Sequence, residues 1–168
     1  MSPSMSTIAT TSTPTFSDLG VRSLINCMGT YTIISGSRLI EPAAEAMVEA
    51  SNHYVNMDEL MEKVGQRLAE LTGAEWGYIP CGCAAALTQV AAAAMAGADP
   101  EKMVHLPDTT GMKNEIVVQK GHRNAYDYAM RMTGAEMVEV ETRADLKAAI
   151  SERTALFLIT GDLEERST

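Results

Sequence analysis

Residues 81–87 read Cys81-Gly82-Cys83-Ala84-Ala85-Ala86-Leu87, a glycine turn that opens straight into an alanine-rich run. A strand that breaks at Gly and enters a helix leaves the first-turn N–H groups pointing outward, where the helix dipole adds partial positive charge. Small side chains let an anion such as a phosphate reach that backbone. The same residues also suit a plain connection in front of a tightly packed alanine helix, which is the commoner use of such a turn. Cys81 and Cys83 form a C-x-C pair, and Cys27 is the third cysteine. A metal site needs more soft ligands at matching spacing, and His53, His105 and His122 do not supply them. Three cysteines in 168 residues are no disulfide framework, so they read as reduced and mostly buried, in keeping with a cytoplasmic protein.

The totals narrow the field. A chain of 168 residues with 46% hydrophobic and 21% charged content reads as one globular domain with a real core. Aromatic content of 5%, set beside abundant Ala and Met, favours helix packing over an all-β core. The formal charge of −9 argues against nucleic acid as a partner, since phosphate-backbone contact needs a basic face. Residues 1–16 are rich in Ser and Thr and lack both a basic n-region and an apolar stretch, so they read as a disordered leader. Without a run of about 18 apolar residues, no membrane span is expected.

The elements that must position these residues follow from periodicity and caps. Leu24 to Cys27 reads as a brief extended segment, followed by a loop through Gly29 and Gly36. Pro42 suits a first helical position, and a helix is predicted from Ala43 to Val55. Asn56 and Glu59 have capping-box spacing ahead of a helix whose Leu60, Val64 and Leu68 predict a core stripe, closed by Gly73. Strands are predicted at Trp76–Ile79, Met103–Leu106, Met137–Val140 and Ala155–Thr160, and Ile116–Gln119 reads as a strand or a helix end. Helices are predicted at Cys83–Met95 and Arg123–Thr133, and from the Thr142 cap to Ile150, with Asp145 at the third position. Alternating helices and short strands argue for an α/β layer with a largely parallel sheet, in which ligands sit at the carboxyl ends of strands. An apolar strand ending at Thr160 with only a short acidic stretch behind it leaves a sheet edge uncovered. The expectation is the front part of a larger fold.

Several segments read together resemble a known group. They are Leu24-Ile25-Asn26-Cys27-Met28-Gly29-Thr30, Met57-Asp58-Glu59-Leu60, Val64 to Ala74, the turn at 81–86, Leu106-Pro107-Asp108, Gly111-Met112-Lys113-Asn114-Glu115 and Gln119 to Asp127. Their order and spacing resemble the N-terminal half of the selenocysteine synthase-like enzymes, which include L-seryl-tRNA(Sec) selenium transferase and D-glucosaminate-6-phosphate ammonia lyase. The resemblance runs from about Leu19 to Thr160. It implies a truncated large domain of the aspartate-aminotransferase fold (fold type I) over residues 17–168, with pyridoxal 5'-phosphate (PLP) as cofactor. It makes Gly82, Cys83 and Ala84 phosphate contacts, although Cys83 is larger than the residue expected there. His122 becomes a candidate to lie on the PLP ring, against the alternative of a satisfied loop histidine. Arg123 becomes a candidate for a substrate anion, against pairing with a surface carboxylate. Lys113 and Asn114 would line the pocket of a neighbouring subunit or else form a solvated loop. Gly29 and Thr30 would shape the entrance or simply make a turn.

The resemblance also marks what the chain does not supply. PLP chemistry needs a Schiff-base Lys and an acidic partner for the ring nitrogen, and the group draws both from beyond this stretch. Lys102, Lys113, Lys120 and Lys147 do not match its lysine segment, so no catalytic residue is assigned and the chain alone is expected to be inactive. A short polar leader where selenocysteine synthase carries a tRNA-binding domain favours the lyase-like relatives. The implied reaction is α,β-elimination from an amino acid or amino-sugar acid, phosphorylated or not, in a homo-oligomer. A seleniumtransferase fragment, a non-catalytic truncated paralogue that joins a full-length partner, and an unrelated small phosphate binder are the alternatives.

Overall fold

The computed structural model describes residues 13–161. The expected leader lies mostly outside them, as does the stretch after Gly161. The chain divides into two compact units, one reaching to Tyr54 and the other starting at Val55.

In the first unit, Asn26 ties a turn: its Oδ1 accepts from the N–H groups of Met28 and Gly29 at 2.9 and 3.1 Å, and its Nδ2 donates to Gly29 O at 2.7 Å. The segment Leu24–Cys27 forms no strand. Helix α1 (Glu41–Ala50) carries Pro42 in its first turn, as expected, and ends short of Val55. None of the unit's described residues is buried.

The second unit opens with α2 (Met57–Thr72). Asn56 Oδ1 accepts from Asp58 N and Glu59 N, and Gly73 closes the helix at φ 74°. The expected core stripe is not buried. Leu60 is 41% exposed, Val64 and Leu68 are half-buried, and only Gly65 is enclosed. The reason is what α2 packs on: an irregular extended segment instead of a sheet. A Cβ on Gly65 would lie 2.5 Å from the Trp76 ring, and one on Gly77 would lie 2.3 Å from Leu68 Cβ. Gly77 N–H donates to Gly65 O at 3.2 Å. The predicted strand Trp76–Ile79 is that extended segment. It has strand-forming residues but no ladder partner among the described residues.

Helices α3 (Cys83–Ala96) and α4 (Pro100–His105) follow, and α4 replaces the strand predicted at Met103–Leu106. Asp99 explains the change, since its carboxylate accepts from Glu101 N and Lys102 N with Pro100 at the first position, a complete helix start. Strand β1 (Glu115–Gln119) lies between β2 (Glu136–Val140) and β3 (Thr154–Leu158) in an all-parallel sheet. The predicted helix Arg123–Thr133 shrinks to one 3-10 turn (Ala125–Asp127) and α5 (Tyr128–Arg131), because Asn124 starts a new turn by capping Tyr126 N. Thr142 and Asp145 form a true capping box at the head of α6 (Arg143–Ala149).

The core sits around β1, whose Ile116, Val117 and Val118 are each at most 1% exposed. Ile116 packs with Ala91 and Met95 of α3 and with Met130 of α5, joined by Leu156 and Leu158 of β3. A strand buried on both faces needs such a continuous apolar run, which is why Ile116-Val117-Val118 sits at the sheet's centre.

Candidate functional site

Gly82 precedes α3 with φ 148° and ψ 170°, a conformation that L side chains rarely adopt. Space around it is open, since a Cβ there would meet nothing within 4 Å. Gly82 O accepts from Ala86 N at 3.0 Å, so the helical ladder starts there and the N–H groups of Cys83, Ala84 and Ala85 precede its first bond. No side chain caps this end and no carboxylate lies in its first turn. The other long helix of the unit, α2, has both an Asn cap and two acidic residues in its first turn. The α3 end is therefore an exposed patch of N–H donors at the positive end of the helix dipole, with neither a side-chain cap nor a first-turn carboxylate to satisfy it. Cys83 is exposed, as are Cys27 and Cys81, which overturns the expectation of mostly buried cysteines, and the Cys83 side chain leaves the backbone donors in place.

Thr88, farther along α3, donates from Oγ1 to Ala129 O at 2.9 Å. That bond ties the helix to the segment running from the carboxyl end of β1. His122 lies in this segment and is fully buried. Its Nδ1 accepts from Thr160 N–H at 3.1 Å, which fixes the ring proton on Nε2. His122 O accepts from Asn124 Nδ2 at 3.2 Å and from Thr160 Oγ1 at 3.4 Å. His122 thus joins the end of β1 to the end of β3.

Arg123 pairs through Nε with Asp127 Oδ2 and through Nη1 with Glu139 Oε1. Asp127, 3% exposed, also takes Arg131 Nε at 3.0 Å. The hydrogen bond from Arg123 holds the Asp127 carboxyl below the ordinary Asp range, opposed by burial and helped by Arg131. The same bond raises Arg123. Arg131 in turn lies over the Tyr128 ring, 5.0 Å from its centroid. Lys120 Nζ meets Glu141 Oε1 at 2.6 Å, and that hydrogen bond raises the lysine's pKa.

Lys113 and Asn114 stand elsewhere. They precede β1, so the five-residue strand separates them from His122 by about 16 Å. Asn114, 7% exposed, donates to Thr109 Oγ1 at 3.1 Å and to Glu136 Oε1 at 3.3 Å. Its Oδ1 accepts from Arg153 Nη2 at 3.1 Å. Arg153 also meets Glu136 Oε2 at 3.0 Å and Glu115 Oε1 at 3.3 Å. Asn114 and Arg153 thus staple the amino ends of the three strands, while Lys113 is exposed. Sequence reasoning missed Asp127, Arg131 and Arg153. The i, i+4 spacing of Arg123, Asp127 and Arg131 was the available signal. Gly29 and Thr30 lie in the first unit, in the turn tied by Asn26.

No helix among the described residues is long and apolar enough to cross a membrane. None of them gather into a group of three or more His, Cys, Asp or Glu that could hold a metal ion.

No protein-family model matches the chain. Two curated proteins do. One is D-glucosaminate-6-phosphate ammonia lyase of Salmonella typhimurium strain 14028s, 34% identical over 152 residues, which are 85% of this chain and 41% of the lyase. The other is 5'-C-glycyluridine monooxygenase-decarboxylase of a Streptomyces species, 34% identical over 150 residues, covering 83% of this chain and 38% of that protein. A solved structure of D-glucosaminate-6-phosphate ammonia-lyase superposes with a TM-score of 0.81 at 34% identity, covering 87% of this chain and 42% of the other. The chain therefore spans about two fifths of the length of the relatives it matches. Over that span it is a partial relative of the selenocysteine synthase-like group, through its likeness to the ammonia lyase in both sequence and structure.

Proposed function

We propose that this chain forms the phosphate-holding front part of a PLP-dependent enzyme of the aspartate-aminotransferase fold, acting in the cytoplasm as a homo-oligomer on an amino acid or amino-sugar acid. The observation that supports this reading is the uncapped, acid-free N-terminus of α3 behind Gly82. The donor set suits the phosphate end of the cofactor: the N–H groups of Cys83, Ala84 and Ala85, with no Cβ at Gly82 to crowd the approach. Bound PLP supplies an electron sink that eases loss of the substrate's α-proton, and α,β-elimination is the proposed outcome.

The chain's own residues do less than a whole site requires. Lys120 is committed to Glu141, and Lys113 stands at the far end of β1. Retention of the cofactor by this chain is therefore through its phosphate and not through a covalent bond. His122, anchored by Thr160, is the proposed ring contact. Arg123 is the weaker of the proposed contacts. A substrate carboxylate would have to displace Glu139 from it, because Asp127 is buried and stays. Of the two loop residues only the exposed Lys113 faces a neighbouring subunit in this reading, while Asn114, buried in the Arg153 staple, holds the loop in shape.

A second reading concerns the reaction. Two relatives of equal identity carry different names, an ammonia lyase and a monooxygenase-decarboxylase. Both names describe an amino acid joined to a sugar carbon chain, so the shared front part fits a substrate class better than one bond-breaking step. A decarboxylating or oxidative reaction at the same phosphate cup is the alternative to elimination. A truncated paralogue serving a full-length partner would keep the cup and lose the chemistry.

The test compares PLP with pyridoxal, which lacks the phosphate. After gel filtration, the chain should retain PLP and not pyridoxal, inorganic phosphate should compete, and Gly82→Val should abolish retention. Equal retention of pyridoxal would remove the basis of the proposal.

A further inference from the structure

Two exposed thiols, Cys81 and Cys83, flank Gly82 at the mouth of the α3 donor patch, and both are reduced. Two Cα atoms two positions apart span at most about 7 Å, against roughly 4.4–6.8 Å for a disulfide. The small excess can be removed only by bending at the residue between them. Gly82 is suited to this: it lacks a side chain, and nothing lies within 4 Å of the space a Cβ would take. Its φ of 148° is open to residues without a Cβ, so it can rotate in either direction. Neither thiol has to leave a core to react. The remaining cysteine, Cys27, is equally exposed but lies in the other unit, with no cysteine beside it in sequence.

We propose that Cys81 and Cys83 are a redox pair that closes the phosphate cup. A hydroperoxide is the oxidant. One thiolate sulfur attacks the O–O bond, which breaks and releases water or an alcohol, leaving a sulfenic acid. The second thiolate displaces hydroxide from that sulfur, the S–S bond forms, and a second water leaves after protonation. Balance is two thiols and one hydroperoxide in, one disulfide and two oxygen-bearing products out. The new ring forces Gly82 out of its present φ and draws Cys83 away from the helix start, so its N–H no longer faces an anion. A dithiol reductant reverses the change. The gating half of this inference rests on the α3 N-terminus being the phosphate site.

The experiment treats the chain with hydrogen peroxide, alkylates it with a maleimide and maps the peptides. Protection is expected at Cys81 and Cys83 together, with a loss of two hydrogens, reversed by reductant, while Cys27 is alkylated throughout. Alkylation of all three cysteines, over-oxidation to sulfonic acids, or cross-links between chains would overturn the pair. Inorganic phosphate binding, measured by isothermal titration before and after oxidation, tests the gate. A drop of about tenfold or more, restored by reductant and absent in Cys81→Ser, is expected. Equal binding in both states overturns the gate. Absence of binding in the reduced protein, before any oxidant is added, overturns the phosphate reading and the gate with it, and leaves the disulfide result to be judged by its own map.

Discussion

Asp127 receives two guanidinium groups, from Arg123 and Arg131, while only 3% exposed. Removing its charge takes the buried partner from both guanidinium groups and leaves Arg123 with Glu139 alone, so Asp127→Asn should cost about 2 kcal/mol of stability in urea unfolding near neutral pH. The pH dependence has a definite sign. The native carboxyl is held below its ordinary value, so its contribution is complete above roughly pH 4 and is lost as pH falls through the depressed native value. The gap between wild type and Asp127→Asn should therefore shrink in acid, and a gap that stays constant would assign the effect to packing. Gly82 is a different case. Gly82→Ala meets no atom, so its cost should be conformational only, about 1 kcal/mol, while phosphate affinity falls more steeply. The glycine turn and the helix behind it were legible from residue types because both are local features, whereas the phosphate role of Gly82, Cys83 and Ala84 was implied only by the resemblance and stands as a proposal. The partners of Arg123 were harder to read, since Glu139 reaches it from another strand.

Among elements, those with complete local signals were legible. The Thr142–Asp145 box stands as its spacing implies, and so does the Asn56 cap with Gly73, although the Glu59 side chain does not return the bond that a box at Asn56 would need. Asn56→Ala should lower stability by about 1 kcal/mol, seen as a loss of α2 helicity before global unfolding. Two strands were misjudged for different reasons. Met103–Leu106 yielded to the Asp99-Pro100 helix start, whose cap and proline lie just ahead of the apolar residues. Trp76–Ile79 has the right residues, but a strand is defined by its partner. Here the segment leans on α2 through glycine contacts instead. Trp76 is the chain's single tryptophan, so its fluorescence reports that contact directly. Gly65→Val should push the ring off α2, shift its emission to the red and raise its quenching by acrylamide. Unchanged emission would mean the contact does not hold in solution.

On the scale of the whole molecule, the apolar surface is larger than a self-contained fold of this length should carry. Ile25, Ile33 and Tyr54 are more than 90% exposed, and Trp76, Tyr78 and Ile79 are each over half exposed. Composition could not reveal this, because 46% hydrophobic content is ordinary whether or not the residues find a core. The α/β class was legible from alternation, and the parallel sheet appears with β1 at its centre. The account predicts concentration-dependent association and strong binding of a hydrophobic dye, and a dye-silent monomer would contradict it. Its central claim, that the α3 N-terminus is a phosphate cup, is tested most directly by amide NMR of the 15N-labelled chain during titration with PLP and then with inorganic phosphate. The account predicts that the amides of Cys83, Ala84 and Ala85 shift first and furthest with both ligands, and that pyridoxal leaves them still. Shifts centred elsewhere, or none at these three amides, would contradict it.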